Sequence, residues 1–209
     1  MVLLNEMSLN CTHLAAPKIA RTKKFICALA HGPTVINLDY IEQCLSKNER
    51  LDPNGFLLKE TPAESSKGYK LSESIERAKA NNCRLLRGYT IYCTEGVHGG
   101  FDCYKAIIEE NGGKCLLYRA RATSTANATR VGGPGEDGDN AAPSTPDYQY
   151  LLSNSKPEDI KLWPKFRQLA QEKGKIPRIV NNDWVLDSAL RQEVQWHEKY
   201  ELSETKATT

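Results

Sequence analysis

Lys18, Arg21, Lys23 and Lys24 place four cations close together in a 209-residue chain whose formal net charge is only +2. A local excess of this kind on a near-neutral chain argues against wholesale wrapping of nucleic acid, but it leaves a patch that can attract an anion. Nuclear import and DNA contact are two readings of the cluster, and a solvated helix face is the plain one. Import is the weaker of these, because the cluster overlaps a predicted helix. Arg21 and Lys24 are three positions apart on that helix, so both can face one groove.

Other chemistries find less support. Seven cysteines, an odd number, stand at 11, 27, 44, 83, 93, 103 and 115 with no pair two residues apart. Structural zinc or a disulfide framework would show tighter, paired spacing, so neither a metal nor another cofactor is expected. Most of these thiols lie among apolar residues, which suits small buried groups. A phosphate-cradling loop is not evident: the glycines between 96 and 100 lack the Lys-Ser/Thr of a P-loop. A cysteine acting with one of four histidines stays open as a hydrolase reading, but a catalytic residue is not expected and a binding role is preferred. No run approaches the ~18 apolar residues of a membrane span, and residues 1–7 have neither the basic start nor the apolar length of a signal peptide. A cytoplasmic or nuclear setting without a membrane partner is expected.

The elements that would position the cations alternate. A short strand is expected at 14–16, a helix over 20–30 ended by Gly32 and Pro33, a β-branched strand at 34–37 and a second helix over 38–48. Residues 50–83 read as a linker with one short helix over 71–82, begun by Ser72 and Ser74. Beyond it come a strand at 89–93, a helix over 101–110 closed by Asn111, Gly112 and Gly113, and a strand at 114–118. Residues 119–146 turn to Ala, Thr, Ser, Gly, Asp and Pro and read as a disordered insertion. Structure resumes at 148–153, and a helix over 160–173, a strand at 178–181 and a helix over 183–191 complete the pattern. Strands alternating with helices imply a parallel sheet with helical cover.

The chain also repeats itself. Residues 33–40 read P-T-V-I-N-L-D-Y and residues 177–184 read P-R-I-V-N-N-D-W, an offset of 144 positions. Each is followed by a small polar residue four positions after the aromatic, Cys44 or Ser188, and by Glu nine positions after it. Such an offset is too long for a solenoid and indicates two copies of one domain. Tyr40 and Trp184, on the apolar stripe of their helices, are expected in the core.

These motifs, in this order, resemble the tandem BRCT repeat family. The resemblance rests on C-T-H-L-A at 11–15, R-T-K-K-F at 21–25 and D-Y-I-E-Q-C at 39–44 in the first copy. In the second copy it rests on L-L-R-G-Y-T-I-Y-C-T-E-G-V at 85–97, the N-G-G-K turn and D-W-V-L-D-S at 183–188. It is closest to the C-terminal BRCT pairs of DNA-damage scaffolds that bind phosphorylated histone tails. It implies an α/β fold of two repeats, each a parallel four-stranded sheet flanked by helices: residues 1–58, a linker at 59–83, and residues 84–205 with the 119–146 insertion.

The resemblance further implies that Lys24 binds the phosphate of a phosphoserine peptide and that Arg21 grips peptide backbone or a terminal carboxylate. A compact ammonium suits the first task and a planar fork the second. Ile26, Phe101 and Leu186 are implied to line an apolar pocket for a following peptide residue. The expected partner is a phosphorylated protein or histone tail, with chromatin association, a nuclear location and a monomeric state. The first repeat departs from the pattern, since only ten residues precede Cys11. It is expected to lack its first strand and helix, and with them the Ser/Thr-Gly that helps hold phosphate in the family. A phosphate-independent protein-interaction module is therefore the main alternative, and DNA binding the second.

Overall fold

A computed structural model describes residues 11–65, 68–119 and 147–204. Expectations placed on residues 1–10 and on the insertion at 120–146 lie outside these. In chain order the elements are β1 (His13–Ala15), α1 (Lys23–Leu29), β2 (Thr34–Ile36), α2 (Asp39–Lys47), α3 (Pro62–Ser65), α4 (Leu71–Asn81), β3 (Thr90–Thr94), α5 (Phe101–Glu110), β4 (Lys114–Tyr118), β5 (Tyr148–Leu152), α6 (Pro157–Ile160), α7 (Trp163–Glu172), β6 (Ile176–Val180) and α8 (Asn182–Arg191).

The second half forms a parallel sheet in the order β4-β3-β5-β6. The first half contains a parallel pair, β1-β2. It is the counterpart of β5-β6, and the duplication reaches individual hydrogen bonds. Asn37 N–H donates to the Phe56 carbonyl and Asn181 N–H to the Tyr200 carbonyl, each at 2.8 Å. Leu58 donates to Val35 as Leu202 does to Ile179, and Glu49 to Cys44 as Glu193 does to Ser188. Every one of these pairs keeps the 144-residue offset, so the sequence repeat is a structural one. Among residues 11–58 the first copy shows two strands where the second shows four.

Three local differences from expectation have physical causes. The helix expected over 160–173 starts later, at Trp163 as α7, because Pro164 occupies its first turn, where its missing N–H leaves no bond unmade, and the single turn α6 stands ahead of it. The linker helix α4 starts at Leu71 with no cap from the Lys70 side chain, its first N–H being accepted by the Glu60 carboxylate. Ser74, buried, donates instead to the Lys70 carbonyl, so neither Ser72 nor Ser74 opens the helix. Strand β6 begins at Ile176 and takes in Pro177, which the sheet tolerates because β6 is an edge strand. Gly112, at φ +80, ends α5 as the Gly-Gly signal implies.

The core is assembled around α1. Phe25 and Leu29 pack into the cluster of the first repeat with Val35 and Leu71, whereas Ile26 and Cys27 pack into the cluster of the second with Ile107, Trp184 and Leu186. A helix that is apolar on both sides is one enclosed on both sides. Its neighbours across the seam are α5 and α8. Helix α7, its counterpart, buries Trp163, Phe166 and Ala170 on its own sheet and turns Lys165, Gln168 and Gln171 to solvent. Tyr40 and Trp184 are buried as expected.

The linker helix fastens the far end of α8. Arg77 Nε donates to the Arg191 carbonyl at 2.8 Å and Asn81 Nδ2 to the Gln192 carbonyl at 2.9 Å. Both acceptors lie where a helix runs out of intrahelical donors, so the linker satisfies groups that burial would otherwise strand.

Candidate functional site

Helix α1 starts at Lys23 because the Thr22 hydroxyl accepts the Phe25 N–H at 3.4 Å. Helices α2, α4, α5 and α8 each carry an acid in the first turn, as the helix dipole favours. Helix α1 has none and carries Lys23 and Lys24 there instead. Cations at that end oppose the dipole, so helix stability does not account for them. Lys24 is exposed. Lys23 lies toward the seam, where its charge acts on the thiols of Cys27 and Cys103.

Arg21 crosses the seam. Its Nη2 lies 2.8 Å from Asp183 Oδ1 and 2.9 Å from Asp187 Oδ1, both on α8 of the second repeat. Both contacts use one nitrogen, which leaves the Nε and Nη1 hydrogens outside this clamp. Asp187 is held in turn by the Tyr200 hydroxyl at 2.8 Å. Burial, together with the charge of Asp187, pushes the Tyr200 phenol well above the ordinary tyrosine range, so it remains a donor. The clamp is exposed enough to contribute only about 0.2–1 kcal/mol per pair, and its effect is to orient the guanidinium.

The three apolar positions belong to one cluster that spans the seam. Ile26 is fully enclosed, Leu186 is 8% exposed and Phe101 is partly buried. Ile26 therefore offers no accessible surface here; Leu186 and Phe101 carry whatever apolar wall faces outward, with Ile26 beneath. The sequence reading missed Asp183 and Asp187. A signal existed in the duplication, where Asp183 answers Asp39 but Asp187 stands in place of Gln43. The second copy thus gains an acid one turn along, on the face that receives Arg21.

Among the described residues, the second repeat offers no equivalent cationic site at its own strand end. The Thr94 hydroxyl, at the end of β3, donates to the buried Asp159 carboxylate at 2.8 Å. At Gly96 a Cβ would stand 2.8 Å from the same carboxylate. A cavity of about 490 Å³ opens beside them, lined in part by Glu95, Glu158, Asp159, Arg119 and Lys156. Arg119 is paired with Glu95 at 2.5 Å, and the acids of the lining outnumber its cations, which disfavours an anion.

With the geometry in place, comparison with known proteins decides the family. The BRCT domain family matches residues 84–201, more than half of the chain, and the Regulator of Ty1 transposition protein 107 BRCT domain matches residues 2–58. The chain belongs to the BRCT family. It is a tandem BRCT pair of α/β fold. BRCT-containing protein 1 of Schizosaccharomyces pombe is 30% identical over 191 residues, covering 90% of this chain and 20% of that protein. Human Mediator of DNA damage checkpoint protein 1 is 36% identical over 86 residues, covering 41% of this chain and 4% of that protein. The chain thus spans about a fifth or less of the length of these relatives.

Among solved structures, the BRCT5-BRCT6 domains of S. pombe Brc1 superpose with a TM-score of 0.65 at 28% identity, covering 95% of this chain and 85% of that one. Rtt107p in complex with a phosphorylated histone superposes with a TM-score of 0.64 at 16% identity, covering 96% of this chain and 80% of that one, a likeness of fold. The BRCT pair is thus related to DNA-damage scaffolds. Among the described residues no helix is long and apolar enough to cross a membrane.

Proposed function

We propose that this BRCT pair is a phosphopeptide-recognition module of a nuclear DNA-damage-response scaffold, binding a phosphoserine peptide such as a phosphorylated histone tail. The observation that carries the reading is the clamp on Arg21. Two carboxylates of the second repeat orient the guanidinium of Arg21, which stands three residues ahead of Lys24 and just before a helix whose leading cations oppose its dipole. Lys24 then meets the phosphate as a point charge, and the outward edge of Arg21 meets peptide backbone or a terminal carboxylate. Phe101 and Leu186 supply the apolar contact for a following residue, over the buried Ile26. The role is binding without catalysis or cofactor, by a monomer that associates with chromatin through its partner. A relative of similar fold bound to a phosphorylated histone supports the choice of ligand.

Titration of a phosphoserine peptide and its unphosphorylated twin by calorimetry tests this, with binding of the phosphorylated form alone expected. Equal binding of both would replace it with a phosphate-independent interaction module.

A further inference from the structure

Three side chains from three parts of the chain meet on the seam. His31 follows α1 of the first repeat, Cys83 follows the linker helix, and Glu110 closes α5 of the second repeat. His31 Nε2 lies 2.9 Å from Glu110 Oε2, and His31 Nδ1 lies 3.2 Å from Cys83 Sγ. A carboxylate only accepts, so Nε2 carries a proton, and in the tautomer that leaves the other nitrogen bare Nδ1 turns its lone pair toward the sulfur. Nucleophile, base and orienting carboxylate are therefore in line.

The thiol is held in its protonated form at rest, because burial and the charge of Glu110 push it above the ordinary cysteine range. Its reactivity must pass through His31. We propose that Cys83 is a modification site for uncharged soft carbon electrophiles of the α,β-unsaturated carbonyl class. This goes beyond the peptide-binding reading and does not depend on it. The sulfur lone pair attacks the β-carbon, a C–S bond forms, and the C=C π pair moves onto oxygen as an enolate. The thiol proton passes to His31 Nδ1. The imidazolium, steadied by Glu110, returns a proton to the α-carbon. The sum is addition of S–H across C=C, with no oxidant or reductant. Anionic reagents are disfavoured by the neighbouring carboxylate.

An adduct has little room. Cys83 sits at φ +58, and its carbonyl is packed so closely against Gly112 that a Cβ there would approach it to 2.5 Å. On the other side the thiol donates to the Ala30 carbonyl at 3.4 Å, so its proton turns to His31 Nδ1 only as the sulfur attacks. The added group lies beside His31, and it is expected to displace His31 from Glu110 and so loosen α1 from α5.

The test treats the full chain with N-ethylmaleimide and follows each thiol by peptide mapping. Cys11 and Cys44, also partly exposed, serve as references. Cys83 is expected to react at least about tenfold faster than either, and His31→Asn to slow Cys83 by about tenfold or more while leaving the references unchanged, in keeping with general-base assistance. Glu110→Gln, which keeps the volume but removes the charge that supports the imidazolium, is expected to slow Cys83 as well. Equal rates at Cys83 and the references, or a Cys83 rate that is unchanged or raised in both variants, would overturn the assignment. Protein alkylated at Cys83 should melt at a lower temperature, and an unaltered Tm would overturn the loosening of the seam.

Discussion

Arg21 of the first repeat lies 2.8 Å from Asp183 of the second, so the position of a helix in one domain sets the direction of a guanidinium in the other. Side chains 162 positions apart in sequence thereby share one task. The groove that we assign to peptide binding belongs to neither repeat alone.

Lys24→Met should remove a charged hydrogen bond to phosphate and weaken binding of a phosphoserine peptide by ~1.5–3 kcal/mol, roughly tenfold to a hundredfold. Fluorescence anisotropy with a labelled peptide reads this directly. An unchanged affinity would remove Lys24 from the site.

Replacing both Asp183 and Asp187 with Asn should separate orientation from stability. Exposed ion pairs contribute little, so Tm should move by only a few degrees, while peptide affinity falls by about 1 kcal/mol, near fivefold, as Arg21 loses its direction. A variant that binds as tightly as the parent would show that the clamp is unconnected with the ligand.

Ile26→Ala removes a side chain enclosed in the core of the other repeat. A cost of about 2–5 kcal/mol is expected, and urea unfolding should move to a lower midpoint for both repeats together. A shift confined to the first repeat would mean that the seam does not couple them.

Alkali should unfold the protein through its seam. Burial pushes the Cys27 thiol up to about 12, and Tyr200 is raised by burial and by Asp187. A group raised in the folded state contributes stability that is complete below its unfolded pKa and is lost as pH climbs toward the folded one. Stability is therefore expected to fall from about pH 8.5, where an unfolded thiol ionises, onward through pH 10, where tyrosine follows. Tm measured between pH 7 and 11 checks this, and Cys27→Ala should delay the onset of the decline.

DNA binding makes a separate forecast. Capture of duplex through the basic cluster would weaken steeply with salt for any sequence. Affinity for a random duplex measured at several salt concentrations is expected to stay negligible throughout.

Much of the architecture could be read from residue order because the signals were local. The limits of α5 and β4 follow from an apolar period closed by Asn111, Gly112 and Gly113, and the repeat follows from two octapeptides that share Pro, Asn, Asp, a Val/Ile pair and a closing aromatic in the same slots. The start of β6 did not, since Pro177 looks like a break until the strand is known to lie at a sheet edge. The partners of Arg21 were hidden for another reason: an acid on an exposed helix face looks the same whether or not a distant cation meets it. His31, Cys83 and Glu110 were hidden likewise, being brought together only when the repeats pack.

The contrast between α1 and α7 gives the stacking a direction and a stop. One repeat offers a greasy helix that its neighbour can swallow; the other shows mainly wettable side chains, Lys165, Gln168 and Gln171, at the same place. A further repeat docking in the same manner would find no enclosed apolar stripe to match that of α1 on the outer face of α7.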